Sequence, residues 1–169
     1  MKVNDYKNLF LDRDGIINKV IMRGNTVSSP RCLDEFKLRK DFIEFYNRLE
    51  DSLNLFVITN QPDIKRGLLK ENDLEEMHKL IKKKFFIKEI VYCPHDDEDK
   101  CICRKPKPGM IKKITNKFNL NLDQCLMIGD SNKDILTAQA SNIDSIFLKT
   151  KYNSLPSNGF IVNSLLELT

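Results

Sequence analysis

Five short apolar runs punctuate the chain, and the segments between them carry apolar residues at helical spacing. This alternation restricts the fold more than any other feature. The runs are Leu9-Phe10-Leu11, Leu55-Phe56-Val57-Ile58, Ile90-Val91-Tyr92, Leu126-Met127-Ile128 and Ile146-Phe147-Leu148. Each has the length and composition of a strand buried on both faces. Between them recur Phe42, Phe45, Tyr46 and Leu49, then Leu74, Met77, Ile81 and Phe85, then Met110, Ile114 and Phe118. Core packing accounts for all of these. The alternation predicts an α/β architecture, a Rossmann-like parallel sheet with helices on both faces. No repeat, low-complexity tract or Pro/Gly-rich linker interrupts it, so residues 1–169 are expected to form one domain. Such sheets bind ligands beyond the carboxyl ends of their strands. Asp12, Thr59, Cys93 and Asp130 follow the first four of these strands in turn, where that rule puts an active site.

Asp12-Arg13-Asp14-Gly15 leaves the first run with two carboxylates two residues apart, a spacing that sends both to one side of a sheet. Two such groups divide phosphoryl-transfer labour. One can attack phosphorus, and the other can protonate the leaving oxygen and later activate water. The same residues also describe an Asp-Gly turn closing a strand. Met127-Ile128-Gly129-Asp130-Ser131 repeats the pattern of an apolar run followed by an acid, with Asp134 four residues later. Asp130 opposite Asp12 offers Mg²⁺ the oxygen ligands it prefers. Asp134 is expected to support that site rather than ligate. Thr59-Asn60-Gln61 after the second run supplies a hydroxyl and backbone N–H groups for phosphate oxygens. The stiff segment Arg104-Lys105-Pro106-Lys107-Pro108-Gly109 adds Lys105 as a fixed positive charge.

Cys93, His95, Cys101 and Cys103 lie within eleven residues. Three thiols and an imidazole complete a tetrahedral donor set for structural zinc. With no open position, this loop (residues 93–103) is expected to hold Arg104-Lys105 in place and not to catalyse. Cys32 and Cys125 lie outside it, Cys125 as a buried residue at the start of a strand. His78 is expected at a surface or core edge.

Taken together and in this order, these motifs resemble the haloacid dehalogenase superfamily of phosphatases, from about residue 9 to 148. The resemblance implies Asp12 as nucleophile and Asp14 as general acid/base, Asp14 also giving Mg²⁺ a backbone carbonyl. It implies Thr59 and Lys105 as phosphate-stabilising residues, and Asp130 as the acidic metal ligand. The first motif, Thr59-Asn60-Gln61 and the cysteine-rich run resemble the D-glycero-D-manno-heptose 1,7-bisphosphate phosphatases. The histidinol-phosphate phosphatases are similar, with a like loop. Substrate contacts implied by the resemblance are Arg104 and the segment Val20, Ile21, Met22 and Arg23; Arg13, Asn60, Gln61 and Ser131 join them as candidates. Ser131 stands where heptose enzymes often carry Lys, and Pro62-Asp63 where Ser-Gly is common.

The stretch between Asp14 and Phe42 is too short for a folded cap domain; residues 20–31 are expected to form a flap. The formal charge is +4, from 28 basic and 24 acidic residues, without the basic stripe that tracking a nucleic acid needs. Lys82-Lys83-Lys84 reads as the solvated face of a helix. No apolar stretch reaches the roughly 20 residues that cross a bilayer, and the start lacks a signal peptide's apolar core. The sequence therefore predicts a cytoplasmic monomer with Mg²⁺ and Zn²⁺, acting on a small sugar phosphate. Histidinol phosphate and a nucleic-acid 3′-phosphate are the alternative substrates.

Overall fold

The computed structural model describes residues 2–157 and 159–169. Eight strands and four α-helices follow in chain order: β1 (Asn8–Leu11), β2 (Ile21–Arg23), β3 (Thr26–Ser28), α1 (Lys40–Tyr46), β4 (Asn54–Asn60), α2 (Glu71–Lys84), β5 (Ile87–Cys93), α3 (Gly109–Phe118), β6 (Cys125–Gly129), α4 (Asn132–Ala140), β7 (Asp144–Leu148) and β8 (Phe160–Val162). Six of the strands form one parallel sheet in the order β5-β4-β1-β6-β7-β8, and β2-β3 make a separate antiparallel hairpin.

The period of two along each strand divides the core between the faces of the sheet. Leu9, Leu11, Leu55, Val57, Leu126 and Ile128 point to one side, where Phe42 and Phe45 of α1 and Leu74, Met77 and Ile81 of α2 cover them. Phe10, Phe56, Ile58, Cys125 and Met127 point to the other, beneath Met110, Ile111 and Ile114 of α3 and Ala138 of α4. Helices on both faces are what the apolar runs predict. Each such side chain contributes about 1.5–3 kcal/mol on full burial, so both covers are held mainly by packing.

The chain winds from β1 out to β4 and β5, then returns past β1 to β6. Order therefore reverses at β1, and a crevice opens between the carboxyl ends of β1 and its neighbours. Asp12 stands at that switch point. Between β1 and α1 lie the β2-β3 hairpin and a single 3-10 turn (Leu33–Glu35), so the expected flap is present and no folded cap intervenes.

The structure departs from the sequence expectation at four places. Thr59 and Cys93 are the penultimate and last residues of strands rather than residues beyond them. Helix α1 stops at Tyr46, and Leu49 belongs to the following turn. Helix α4 goes unannounced because only its inner side is apolar, through Ile135 and Ala138, while Leu136 is exposed. Strand β8 adds a sixth member to the sheet, with Phe160 and Ile161 exposed at the edge.

Candidate active site

At the end of β1 the chain turns sharply through Gly15, whose φ is +89°. A Cβ there would lie 1.9 Å from Asp130 Oδ2 and 2.7 Å from the Tyr152 hydroxyl. No other residue fits. Gly129 meets the same restriction on β6, where a Cβ would approach that of Asp134 to 2.3 Å. These two close approaches bring the β1 and β6 carboxylates together. One oxygen each from Asp12, Asp130 and Asp134 lies within 4.8 Å of the others.

Lys105 Nζ enters the cluster from the opposite side, 2.8 Å from Asp12 Oδ1 and 2.6 Å from Asp134 Oδ1. It also donates to the Ile58 carbonyl at 3.3 Å. Asp12 Oδ1 accepts the Arg13 backbone N–H at 2.7 Å, so the hydrogen bonds collect on that oxygen and leave Oδ2 for chemistry. Asp134 closes the capping box of α4, its Oδ2 taking both the N–H and hydroxyl of Ser131, at 3.0 and 2.6 Å. With both oxygens hydrogen-bonded, Asp134 holds Lys105 and Ser131 in place. Tyr152 donates to Asp130 Oδ2 at 2.6 Å, and Asn153 Nδ2 to the Asp130 carbonyl at 2.8 Å.

Three carboxylates around one ammonium leave two negative charges uncompensated. Burial and then the Asp134 charge push Asp12 well above the usual carboxyl range, although Lys105 pulls the other way. The same two causes lift Asp130 to about 6, against the Tyr152 hydrogen bond. Burial opposes the Lys105 charge, yet Asp12 and Asp134 hold its ammonium above the ordinary lysine value. An all-oxygen donor set with an excess charge of two fits a hard divalent cation such as Mg²⁺.

Asp14 has the opposite environment. Burial disfavours its charge, but Arg13, Asn18, Ser29 and Gln61 together hold the carboxyl below its usual value. Arg13 grips it with Nε at 3.1 Å and Nη2 at 2.9 Å to Oδ1. Asn18 donates to Oδ1 at 2.8 Å, while Ser29 and Gln61 donate to Oδ2, each at 2.8 Å.

Two candidate substrate contacts are thereby corrected. Arg13 is fully buried, stacked over Phe36 and 3.4 Å from His78 Nε2. It turns beneath Asp14, because its guanidinium finds a carboxylate, an aromatic face and a neutral acceptor there. Burial and then the Arg13 charge keep His78 neutral by lowering its pKa to about 3, consistent with a core-edge role. Gln61 is also fully buried and spans Asp14 and Thr59 Oγ1, the latter at 2.8 Å. Its bond to Thr59 leaves the threonine hydroxyl proton free to donate elsewhere.

A cavity of about 450 Å³ opens over these groups, within the size range of small-molecule sites. Asp12, Asp14, Val20, Thr59, Asn60, Arg104, Lys105, Asp130 and Ser131 all line it. Ile21, Met22 and Arg23 do not. They form β2, with Met22 in solvent and Arg23 turned to Glu35 at 2.6 Å. The hairpin instead presents its return strand and the residue after it, through Val27, Ser28 and Ser29. Asn60 pins the incoming loop: its amide exchanges two 3.0 Å hydrogen bonds with the Lys105 backbone. Tyr152, Asn153 and Lys133 also line the cavity and were missed. Tyr152 and Asn153 follow the fifth apolar run, so the strand-end rule applied once more would have found them.

Cys93 closes β5, and its Sγ lies 3.6 Å from His95 Nδ1, 3.7 Å from Cys101 Sγ and 3.3 Å from Cys103 Sγ. Tetrahedral zinc with ordinary bond lengths implies S–S edges of about 3.8 Å and S–N edges of about 3.5 Å. The four donors fit that geometry. Arg104, next in sequence, is fastened across the loop, with Nε on Asp97 at 2.7 Å and Nη1 on the His95 carbonyl at 3.1 Å. Cys32 is exposed and Cys125 buried.

A family profile for HAD-hydrolase-like proteins matches residues 102–167. Among curated relatives, the D-glycero-beta-D-manno-heptose-1,7-bisphosphate 7-phosphatase of Pseudomonas aeruginosa is 35% identical over 150 residues, covering 84% of this chain and 80% of that one. Its namesake in Helicobacter pylori is 32% identical, with 86% and 85% covered. The D-glycero-alpha-D-manno-heptose-1,7-bisphosphate 7-phosphatase of Photorhabdus laumondii is 29% identical, with 99% and 100% covered. The D,D-heptose 1,7-bisphosphate phosphatase of B. bronchiseptica, crystallised with magnesium and phosphate, superposes with a TM-score of 0.80 at 26% identity, covering 94% and 93%. Their agreement over nearly the whole length is decisive: the chain belongs to the heptose-1,7-bisphosphate 7-phosphatase family of HAD-like phosphoric monoester hydrolases.

Proposed function

We propose that the protein is a magnesium-dependent D-glycero-D-manno-heptose-1,7-bisphosphate 7-phosphatase that works through an aspartyl phosphate. The observation that carries the mechanism is the ion-paired row Asp12–Lys105–Asp134 at the sheet's switch point, with Asp14 lining the same cavity. Asp12 Oδ2 attacks phosphorus, and the bond from phosphorus to the sugar oxygen breaks. The departing oxygen takes a proton from Asp14. Water then attacks the aspartyl phosphate, Asp14 removes its proton, and inorganic phosphate leaves.

Lys105 and the Thr59 hydroxyl hold the phosphoryl oxygens as charge shifts onto them. Asp12, Asp130 and the main-chain carbonyl of Asp14 would hold Mg²⁺, which would supply charge neutralisation between the anionic nucleophile and the phosphate. Zinc on Cys93, His95, Cys101 and Cys103 would hold the loop that delivers Lys105. Val20, Asn60, Arg104 and Ser131 remain as substrate contacts, Asn60 chiefly by fixing Lys105. The proposal includes residues 1–169 acting as one domain, supported by the two apolar clusters sharing one sheet, and a monomer working in the cytoplasm.

Asp12→Asn tests the mechanism. Its amide cannot attack phosphorus, so phosphate release from the heptose bisphosphate should fall on the order of a thousandfold or more, with an unchanged circular dichroism spectrum. Substantial steady-state turnover by this variant, freed of wild-type enzyme, would refute the aspartyl-phosphate route.

A further inference from the structure

Register places Gly129 of β6 opposite Phe147 of β7, so Asp130 leaves the sheet beside Leu148. The segment after β7 folds back over this pair. Asn153 Nδ2 bridges the main-chain carbonyls of Asp130 and Leu148, at 2.8 and 2.9 Å, and its Oδ1 accepts the Thr150 N–H at 3.0 Å. One amide thus ties the ends of β6 and β7 together and fixes the Asp130 backbone. The preceding residue takes the side chain: the half-buried Tyr152 donates its hydroxyl to Asp130 Oδ2 at 2.6 Å. Room for that hydroxyl exists because Gly15 has no Cβ, which would lie 2.7 Å from it. Among the described residues no side chain donates to Asp130 Oδ1.

Asp130 has one oxygen within 4.8 Å of an oxygen of Asp12 and of Asp134, and like charges turn a free carboxylate away from its neighbours. A tyrosine hydroxyl on one oxygen opposes that rotation and leaves the other oxygen to a cation. Partners of this kind orient a ligating group before the ion arrives, and their loss typically weakens binding by about 10–100-fold. We propose that Tyr152 is a positioning residue that holds the Asp130 carboxylate in its ligating orientation and so sets the affinity of this site for Mg²⁺, with Asn153 fixing the main chain beneath it. The inference rests on the magnesium reading above and gives a role to a segment outside the motifs that carry that reading. Because Tyr152 acts through Asp130, its loss appears in the concentration of Mg²⁺ that turnover requires and not in the KM of the sugar phosphate.

Titration calorimetry of Mg²⁺ into the full chain, with no substrate present, reads the effect directly. Tyr152→Phe removes the hydroxyl and keeps the ring, and should raise the Mg²⁺ Kd about tenfold or more. In turnover of heptose 1,7-bisphosphate the same variant should need correspondingly more Mg²⁺ for half-maximal rate and recover in excess Mg²⁺. Its KM for the sugar, measured at saturating Mg²⁺, should change by less than about twofold. An unchanged Kd in Tyr152→Phe, or a loss of turnover that excess Mg²⁺ does not restore, would overturn the proposal. A wild-type protein whose Mg²⁺ binding depends on Tyr152 but which is inert on the heptose bisphosphate would support it and overturn the substrate reading alone. A wild-type protein that binds no Mg²⁺ would overturn the magnesium reading and this proposal with it.

Discussion

Asp12 and Asp130 both pay for their position in the same way, since burial and the neighbouring Asp134 each oppose their charge. Asp130 moves from 3.8 to about 6. Across that window the folded protein binds more protons than the unfolded chain, so stability without a divalent cation falls as pH rises through it. Asp14, whose value is lowered, acts with the opposite sign and below 3.8, outside the window. A cation bound by Asp12 and Asp130 must displace their protons at low pH but meets ready carboxylates above about 6. Near pH 7.5, Mg²⁺ at about 100 times its Kd should contribute about 2.7 kcal/mol. That is a rise of about 5–10 °C in Tm for a chain of this size. Near pH 5 the rise should be less than about half as large. Equal Mg²⁺-dependent shifts in scanning calorimetry at both pH values would rule out these carboxylates as the binding site.

Among the elements, the loop from Cys93 to Cys103 has the clearest separable role. Cys93 is anchored at the end of β5, whereas Cys101 and Cys103 reach back across a 3-10 turn (Asp97–Asp99) to join it. Arg104 and Lys105 follow directly and are fixed by His95, Asp97 and Asn60. Metal analysis of protein purified without chelator should find about one zinc per chain. Its removal should expose Lys100 and Arg104 to trypsin and lower kcat by displacing Lys105, whereas removing Mg²⁺ should stop turnover with no new cleavage. Zinc-free protein as purified, or identical cleavage before and after stripping, would count against the site. The clustering of Cys93, His95, Cys101 and Cys103 was legible because they are local in sequence. That Asp12, Asp14, Thr59 and Asp130 line one cavity was legible because a parallel sheet collects its strand ends. Arg13 and Gln61 were misread for a related reason: the motif shows that they flank reactive groups, but tertiary packing decides which way each side chain turns. The β2, β3 and β8 strands have three residues each, too few to establish a period. Tyr152 reaches Asp130 only after β7 has joined the sheet.

On the scale of the whole molecule, the described residues between β1 and α1 form a hairpin and a 3-10 turn rather than a folded cap, and this bears on substrate choice. A site without a cap is open to solvent and would admit a polymer end, which favours a nucleic-acid 3′-phosphate. Two features oppose that reading. The β2-β3 hairpin brings Val27, Ser28 and Ser29 to one side of the cavity, and the zinc-loop segment brings Arg104 to its wall. The hairpin's base is also tied down, with Arg31 paired to the nearly buried Asp63 at 2.7 Å and Arg23 to Glu35. Charge argues the same way. The net excess is only +4, and the cations lining the cavity are Arg104, Lys105 and Lys133, whereas a nucleic-acid path needs several phosphates neutralised in a row. Heptose 1,7-bisphosphate should therefore exceed a 3′-phosphorylated oligonucleotide by at least about tenfold in kcat/KM, or about 1.4 kcal/mol. Histidinol phosphate, with one phosphate and a cationic amine, brings positive charge to a cavity lined by Arg104, Lys105 and Lys133 and should also rank below the bisphosphate. Phosphate release from the three substrates, measured at two salt concentrations, decides the matter. Turnover of the DNA end that equals the sugar's and falls steeply with salt would transfer the assignment to nucleic acid, with the chemistry at Asp12 unchanged.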